Sequence, residues 1–248
     1  MSAESPVSIQ RGNYNRTLPG PLFLILGRLA CIPLQYAIVN YNPLNISQLP
    51  SSSSLDLSFM PAWLPTLEPL TIFLAMTGVL IVKQSIWAFY IRNEHMTLPF
   101  AFFGVVADFV YEGICALVFS VAPANPMWTP AFLYLGAALH FLAATIELVA
   151  ELQRKRFKDD PKNSGKLCTE GAWGVVRHPN FAMNVVYGAA YGFATGGPLF
   201  ALLPVGMYLG NFTTNAIPPK EVYLAEKYGE QWEKYRRVVR WKMCPGVY

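Results

Sequence analysis

Charged residues are scarce in this chain. Asp, Glu, Lys and Arg make up 14% of its 248 residues, whereas hydrophobic residues make up 53%. A soluble domain usually carries about a quarter charged residues. The mean hydropathy of +0.30 agrees with this shortage. The composition therefore argues against an ordinary soluble domain and indicates a protein that lies in a bilayer.

Cysteine is also sparse, and its spacing argues against a disulfide-stabilised protein and against a cysteine metal site. The four cysteines form no CxxC pair and no metal-ligand spacing, so we expect neither a disulfide framework nor a metal site. Residues 1–17 are polar, and no small-residue cleavage site follows the first apolar run. We therefore expect this run to be a true first span and not a secretory signal.

Apolar runs of about 20 residues, the length that crosses a hydrocarbon core, alternate with short polar segments. They predict an all-α polytopic membrane protein with six transmembrane helices. The last two runs are short or rich in glycine, and we expect them to form a hairpin that turns at Gly196-Gly197-Pro198. The six runs are Leu18–Val39, Leu70–Ile91, Leu98–Val121, Pro130–Leu152, Phe181–Thr195 and Leu199–Ile217.

Basic residues are unevenly placed, and this predicts the orientation. They concentrate in residues 154–177 and in the tail from Lys220 onward, while residues 41–69 and 122–129 contain none. The positive-inside rule then places both termini and the 153–180 loop in the cytosol. The glycosylation acceptor at Asn45 would face the lumen. The net charge of +4 suits an anionic lipid surface and gives no reason to expect nucleic-acid binding.

Ionisable side chains within the predicted spans are costly and are therefore candidates for function. Asp108 and Glu112 lie four residues apart on one helical face, where like charges favour a protonated acid that can donate a proton. These two residues are our candidate catalytic pair. In the alternative interpretation the acids of the third and fourth spans pair with Arg28 and Lys83 and hold the bundle together. The fourth span carries His140, Glu147 and Glu151 on one face.

Three segments of the C-terminal half carry a family resemblance. The first two are Gln153–Pro161 (QRKRFKDDP) and Gly171–Phe181 (GAWGVVRHPNF). The third comprises Lys227–Tyr235 (KYGEQWEKY) and the closing Cys244–Tyr248 (CPGVY). In this order they resemble sterol reductases of the delta-14 sterol reductase, lamin B receptor and 7-dehydrocholesterol reductase type. A looser resemblance extends to steroid 5α-reductases and isoprenylcysteine carboxyl methyltransferases.

The chain divides into two regions. The apolar runs predict a bundle of four spans in residues 1–152, and the resemblance implies a cytosolic cofactor-binding region in residues 153–248. It implies an endoplasmic reticulum enzyme whose lipophilic isoprenoid or sterol-like substrate enters from the bilayer. The basic residues suit phosphate groups, and the aromatic residues suit stacking on a nucleotide ring. The candidate cofactor-binding residues are Arg154, Lys158, Trp173, Arg177, His178, Asn180, Trp232 and Tyr235.

Two departures from the reductase pattern leave the reaction open. Asn184 stands where the reductases carry a carboxylate, and a side-chain amide cannot serve as the same acid. Asn215-Ala216 stands where they carry a His-Arg pair implicated in holding NADPH. The first hypothesis is NADPH-dependent reduction of a carbon–carbon double bond, with Asp108 or Glu112 as proton donor.

Three further hypotheses remain open. S-adenosylmethionine-dependent methylation would use Arg177, His178 and Glu221 to hold the methyl donor. A cofactor-free isomerase or cyclase would use Asp108 and Glu112 for proton exchange. A non-catalytic membrane scaffold ranks last, because the sequence shows no added soluble domain.

Overall fold

The computed structural model describes residues 10, 12–44 and 68–248 and consists of helices joined by short turns. The glycosylation acceptor at Asn45 lies outside the described residues. The helices are α1 (Pro19–Tyr41), α2 (Pro69–Ile86), α3 (Leu98–Ser120), α4 (Pro130–Asp159), α5 (Pro179–Gly196), α6 (Pro198–Asn211), α7 (Ile217–Tyr228) and α8 (Glu230–Val238). A π-helical turn, Trp87–Ile91, extends α2, and another, Phe212–Ala216, joins α6 to α7.

Proline marks the start of almost every helix. Each of α1 to α7 has proline at its first or second position. There the missing N–H has no intrahelical partner to lose, and the fixed backbone angle already suits a helix. At the predicted turn between α5 and α6, Gly197 has a φ of 82°, a conformation that favours glycine. The expected helical hairpin is therefore present, with Pro198 opening its second arm.

The expected number of spans is wrong. Within the described part of the chain, only α1, α2 with its π-helical turn, α3 and α4 are long and apolar enough to cross a bilayer. α6 has 14 residues, fewer than the roughly 17 that a span needs. α5 contains Asn180 and Asn184 and several glycines, which lower its hydropathy. The protein is thus an integral membrane protein with four spans among its described residues, and the α5–α6 hairpin packs against them.

Small residues bring α5 against α4 over most of its length. Gly136 of α4 faces Ala190 and Ala194 of α5 so closely that a Cβ on Gly136 would lie 2.7 Å from that of Ala194. Around this contact the core contains Phe73, Phe119, Trp128, Leu133 and Tyr191. The close approach of the two helix backbones fixes where the polar residues of α5 lie relative to the bundle.

Helix α4 continues beyond the predicted end of its span. The predicted span ends at Leu152 and a loop is expected from residue 153, but the helix runs without a break to Asp159. Arg154 and Lys158 therefore lie on the last turns of α4. The N-terminal stretch reaches the same face of the protein, because Lys227 of α7 donates to the Tyr14 hydroxyl at 2.9 Å.

Gly136→Ala is expected to lower the free energy of unfolding by about 1–3 kcal/mol, because the added methyl group forces α4 and α5 apart. The matched control is Gly113→Ala, where a Cβ would meet no atom within 4 Å. The control should leave stability unchanged or raise it, since alanine is the better helix former. Thermal unfolding in detergent measures both, and equal stability of the two variants would contradict the close packing.

Candidate functional site

The segment before α5 and the tail after α8 lie side by side. The backbone N–H of Arg177 donates to the carbonyl of Trp241 at 2.9 Å, and that of His178 donates to Lys242 at 2.8 Å. The Arg177 Nη1 atom donates to the carbonyls of Val239 and Arg240 at 2.9 and 2.8 Å. The two motif segments that are far apart in sequence therefore form one structural unit at the start of α5.

A carboxylate from α7 completes this unit. Glu221 Oε1 lies 2.9 Å from Arg177 Nε and 3.2 Å from His178 Nε2. Arg177 and His178 are buried, whereas the Glu221 side chain is 22% exposed. The positive charge of Arg177 is thus matched within the protein by Glu221.

Burial sets the protonation of this group. It lowers the pKa of His178 to about 4, because desolvation outweighs the hydrogen bond to Glu221. For Glu221, burial alone would raise the pKa, but hydrogen bonds from His178 and Arg177 outweigh it and hold the pKa at about 2. At neutral pH His178 is therefore neutral and Glu221 is ionised.

The three aromatic candidates, Trp173, Trp232 and Tyr235, are buried. They contact α4, Arg177 and one another. Trp173 Nε1 donates to the Ala150 carbonyl of α4 at 2.9 Å, and the Tyr235 hydroxyl donates to the Trp173 carbonyl at 2.6 Å. The guanidinium of Arg177 lies 6.0 Å from the ring centre of Trp232. In this conformation the rings pack against protein atoms.

The two basic candidates of α4 also have partners within the protein. Arg154 pairs with Glu151 one turn earlier, and its guanidinium lies 5.1 Å from the ring centre of Trp173. Lys158 donates to the Lys166 carbonyl and, at 2.8 Å, to the Tyr228 hydroxyl. A phosphate group held here would use the remaining N–H donors of these side chains or replace their present partners.

Two buried polar atoms beside the start of α5 have no partner in the described part of the protein. They are Nδ1 of His178 and Oδ1 of Asn180. Buried polar atoms are nearly always paired, so an unpaired one points to a missing ligand or water. Since the N-terminus of α5 also offers free backbone N–H groups, the residues present here fit a polar coenzyme.

A second polar cluster lies within the four spans. Arg28 of α1 contacts two carboxylates of α3, with Nη2 2.6 Å from Glu112 Oε1 and Nε 3.3 Å from Asp108 Oδ2. Gln35 Nε2 donates to Glu112 Oε2 at 2.8 Å and also bonds Thr77. The Asp108 side chain is 25% exposed and that of Glu112 is 3% exposed. The two predicted catalytic acids thus share one guanidinium, and Asp108 is the more accessible.

A third group of polar residues joins α2, α4 and α5. Lys83 Nζ lies 2.6 Å from Glu147 Oε2 and donates to the Tyr187 hydroxyl at 3.3 Å. That hydroxyl donates to Asn184 Oδ1, and Asn184 Nδ2 donates to the Asn180 carbonyl at 2.6 Å. Hydrogen bonds therefore run from the start of α5, where His178 and Asn180 lie, into the membrane bundle.

A small cavity lies between these groups. Its volume is about 20 Å³, enough for about one water molecule. His140 is among its lining residues and contacts the carbonyls of Met76 and Tyr187 at 3.0 and 2.9 Å, so it links three helices. The polar lining residues are Arg28, Gln84, Asp108, Tyr111, Glu112, His140, Tyr187, Tyr191 and Tyr208.

Reasoning from the sequence missed Tyr187. Tyr187 shares one face of α5 with Asn180 and Asn184, since the three residues lie at positions i, i+4 and i+7. This spacing is the signal that could have identified Tyr187. Their joint orientation toward Lys83 depends on how α2 packs, which the spacing alone does not show.

Comparisons with known proteins identify both sterol reductases and a probable methyltransferase as relatives. The family described as "Protein of unknown function (DUF1295)" matches residues 79–239. The probable O-methyltransferase ustE of Ustilaginoidea virens is 23% identical over 88% of this chain and 83% of its own length. The delta(14)-sterol reductase of Arabidopsis thaliana is 32% identical over 40% of this chain, and that of Ascobolus immersus 28% over 45%.

The resemblance to sterol reductases is therefore confirmed. The aligned regions span 30% and 29% of those two reductases, so the similarity covers a minor part of each. The family match reaches back to residue 79, within α2, and thus includes Lys83 as well as the motif segments.

The stability of the fold is expected to rise with pH between about 4 and 6.5. The unfolded histidine has a pKa near 6.5, and that of folded His178 is about 4, so in this window the unfolded state binds more protons. His178→Gln should flatten the curve of stability against pH by up to roughly 3 kcal/mol. Chemical unfolding at a series of pH values measures this, and an unchanged slope in the variant would exclude His178 as the cause.

Proposed function

The chain belongs to the DUF1295 family, and we propose that it is an endoplasmic reticulum enzyme that reduces a carbon–carbon double bond in a lipophilic isoprenoid or sterol-like substrate with NADPH. The basic segments and both termini would face the cytosol. Support comes from the local similarity to sterol reductases and from the arrangement of acids beside the cavity.

The observation that carries the proposal is the pairing of two carboxylates with one guanidinium. Arg28 carries one positive charge, whereas Asp108 and Glu112 together carry two negative charges when ionised. An uncompensated charge in hydrocarbon is expensive, so the cluster is least costly when one of the two acids holds a proton. Reduction of a double bond requires such a proton in addition to a hydride.

Asp108 is the member of the pair that can reach a substrate. Both acids line the cavity, but Glu112 bonds Arg28 and Gln35 and is almost fully buried, whereas the Asp108 side chain keeps a quarter of its surface exposed. We assign Asp108 as the proton donor and Glu112 as the residue that fixes Arg28. Tyr187, which lines the same cavity, would help to position the substrate.

Arg177, His178 and Asn180 would hold the coenzyme at the N-terminus of α5. NADPH supplies the hydride when it is bound. The unpaired Asn180 Oδ1 and His178 Nδ1 atoms are available to hydrogen-bond it. The remaining candidates are Arg154, Lys158, Trp173, Trp232 and Tyr235, and we propose that the two basic side chains exchange their present partners for phosphate oxygens.

A second candidate function is methyl transfer from S-adenosylmethionine. Two observations favour it: the alignment with the probable O-methyltransferase covers most of both chains, and the charge of Arg177 is already matched by Glu221. A methyl donor without phosphate groups would need no free cation there.

Coenzyme binding distinguishes the two functions. NADPH is expected to raise the melting temperature of the detergent-purified protein, and S-adenosylmethionine is not; a hundredfold excess over Kd corresponds to about 2.7 kcal/mol. Asn180→Ala should abolish this stabilisation without destabilising the free protein, because Asn180 Oδ1 has no partner to lose among the described residues.

The matched control for Asn180→Ala is Arg237→Ala on the exposed face of α8, which should retain the full NADPH effect. Arg177→Ala should also abolish the effect of NADPH. Stabilisation by S-adenosylmethionine alone would replace the reductase assignment with methyl transfer. A full NADPH effect in both site variants would show that the coenzyme binds elsewhere.

Asp108→Asn is expected to lower turnover by about a hundredfold or more while leaving coenzyme stabilisation intact, since a positioned acid commonly contributes this much. NADPH oxidation with a panel of unsaturated sterols and prenols measures turnover, and thermal shift measures binding. Glu112→Gln should lose activity together with folded stability. Wild-type turnover in Asp108→Asn would assign Asp108 to structure alone.

A further inference from the structure

A cationic cluster lies at the end of α2, away from the start of α5. Arg92 directly follows the π-helical turn Trp87–Ile91, and its backbone N–H donates to the Trp87 carbonyl at 2.8 Å. Its side chain is folded against the protein, with the residue only 6% exposed. Nη1 donates to the Glu94 carbonyl, whereas Nε is buried and has no partner in the residues that the structure describes.

A second guanidinium is brought to the same turn by the N-terminal stretch. Arg16 is exposed, and its Nη2 donates to the Phe89 carbonyl, three residues before Arg92, at 2.6 Å. Two like charges in one place repel each other. Burial and then the charge of Arg16 lower the pKa of Arg92, in agreement with this proximity. A bound anion would relieve the repulsion.

The nearby acid does not neutralise the pair. Glu94 is half-buried, and its Oε1 accepts a hydrogen bond from the backbone N–H of Gly12 at 3.2 Å. One carboxylate against two guanidinium groups leaves one positive charge. Glu94 thus holds the N-terminal stretch near Arg92, and one positive charge remains to attract an anion.

We propose that Arg16 and Arg92 form a phosphate-binding site at the end of α2, which goes beyond the proposed function. Guanidinium groups match phosphate oxygens in shape and charge, and the unpaired Nε of Arg92 supplies a preplaced donor. Lys155 contacts the nearby Tyr90 ring at 4.8 Å, but its charge is matched by Asp159 at 2.8 Å, so Arg16 and Arg92 are the cations of the site.

The phosphate can come from two sources. The site directly follows a membrane span, so the headgroup of an anionic phospholipid can reach it. Arg154 of α4, which neighbours Trp173, also lies at this end of the bundle, so the phosphate of a coenzyme bound at α5 is the other source. Only this second source rests on the proposed function.

The experiment places the full chain in nanodiscs and measures melting temperature. One arm compares neutral phosphatidylcholine with phosphatidylcholine containing phosphatidic acid. The other arm adds 2′,5′-ADP to neutral nanodiscs. We expect the melting temperature to rise in one arm, and its source is then identified. The apparent affinity for that probe should fall by about tenfold or more in Arg16→Gln and Arg92→Gln, because charged hydrogen bonds are lost.

Arg237→Gln on α8 is the matched control and should keep the full effect. Since Arg16 is exposed, Arg16→Gln preserves the test even if Arg92→Gln fails to fold. No shift in either arm, or an equal shift in wild type and Arg16→Gln, would overturn the proposal. If NADPH does not raise the melting temperature of the wild-type protein but phosphatidic acid does, the proposed function is rejected and the phosphate site is retained.

Discussion

The ion pair between Arg28 and the two carboxylates of α3 is the constraint on which the membrane bundle depends. A charge in an apolar interior is tolerated only with a partner close by, and removal of one partner leaves the other stranded. Arg28 therefore fixes α1 against α3 at the depth of Asp108 and Glu112. Gln35 and Thr77 extend the same network to α2. The acids keep a defined position beside the cavity because this network holds them.

Helix α5 extends from its start, where Arg177 and His178 lie, to the cavity beside this buried cluster. Its first turn carries Asn180, and the same face carries Asn184 and Tyr187 deeper in the bundle. A helix is stiff along its axis, so the distance between its N-terminus and the cavity is set by the backbone. The close packing of α5 on α4 at Gly136 then fixes its rotation. A reaction between a coenzyme and a substrate on this scaffold requires a fixed distance along α5 and a fixed rotation of α5. A small misplacement of either reactant lowers the reaction rate.

The sequence predicted the first four helices well because long apolar runs and helix-starting prolines are local signals. It overestimated the spans at α5 and α6, where a hairpin buried against protein has nearly the same apolar character as a helix in lipid. The candidate acids were noticed because ionisable groups are conspicuous in an apolar chain, and the Arg177–Asn180 segment because it resembles sterol reductases. The links from Lys83 to Tyr187 and from Arg177 to the tail carbonyls depend on tertiary packing, and no local pattern encodes them.

The size of the cavity sets a condition on substrate entry. A space of about 20 Å³ admits a water-sized group, so a sterol-like molecule fits only if a wall is displaced. The wall formed by α6 is the least costly to move, because Pro204 is its only buried residue and Pro204 also removes a hydrogen bond within the helix. Tyr208 of α6 lies over Gly188, where a Cβ would come within 2.3 Å of its ring. Displacement of α6 toward lipid would uncover Gly188 and Tyr187 and so widen the cavity that Asp108 also lines.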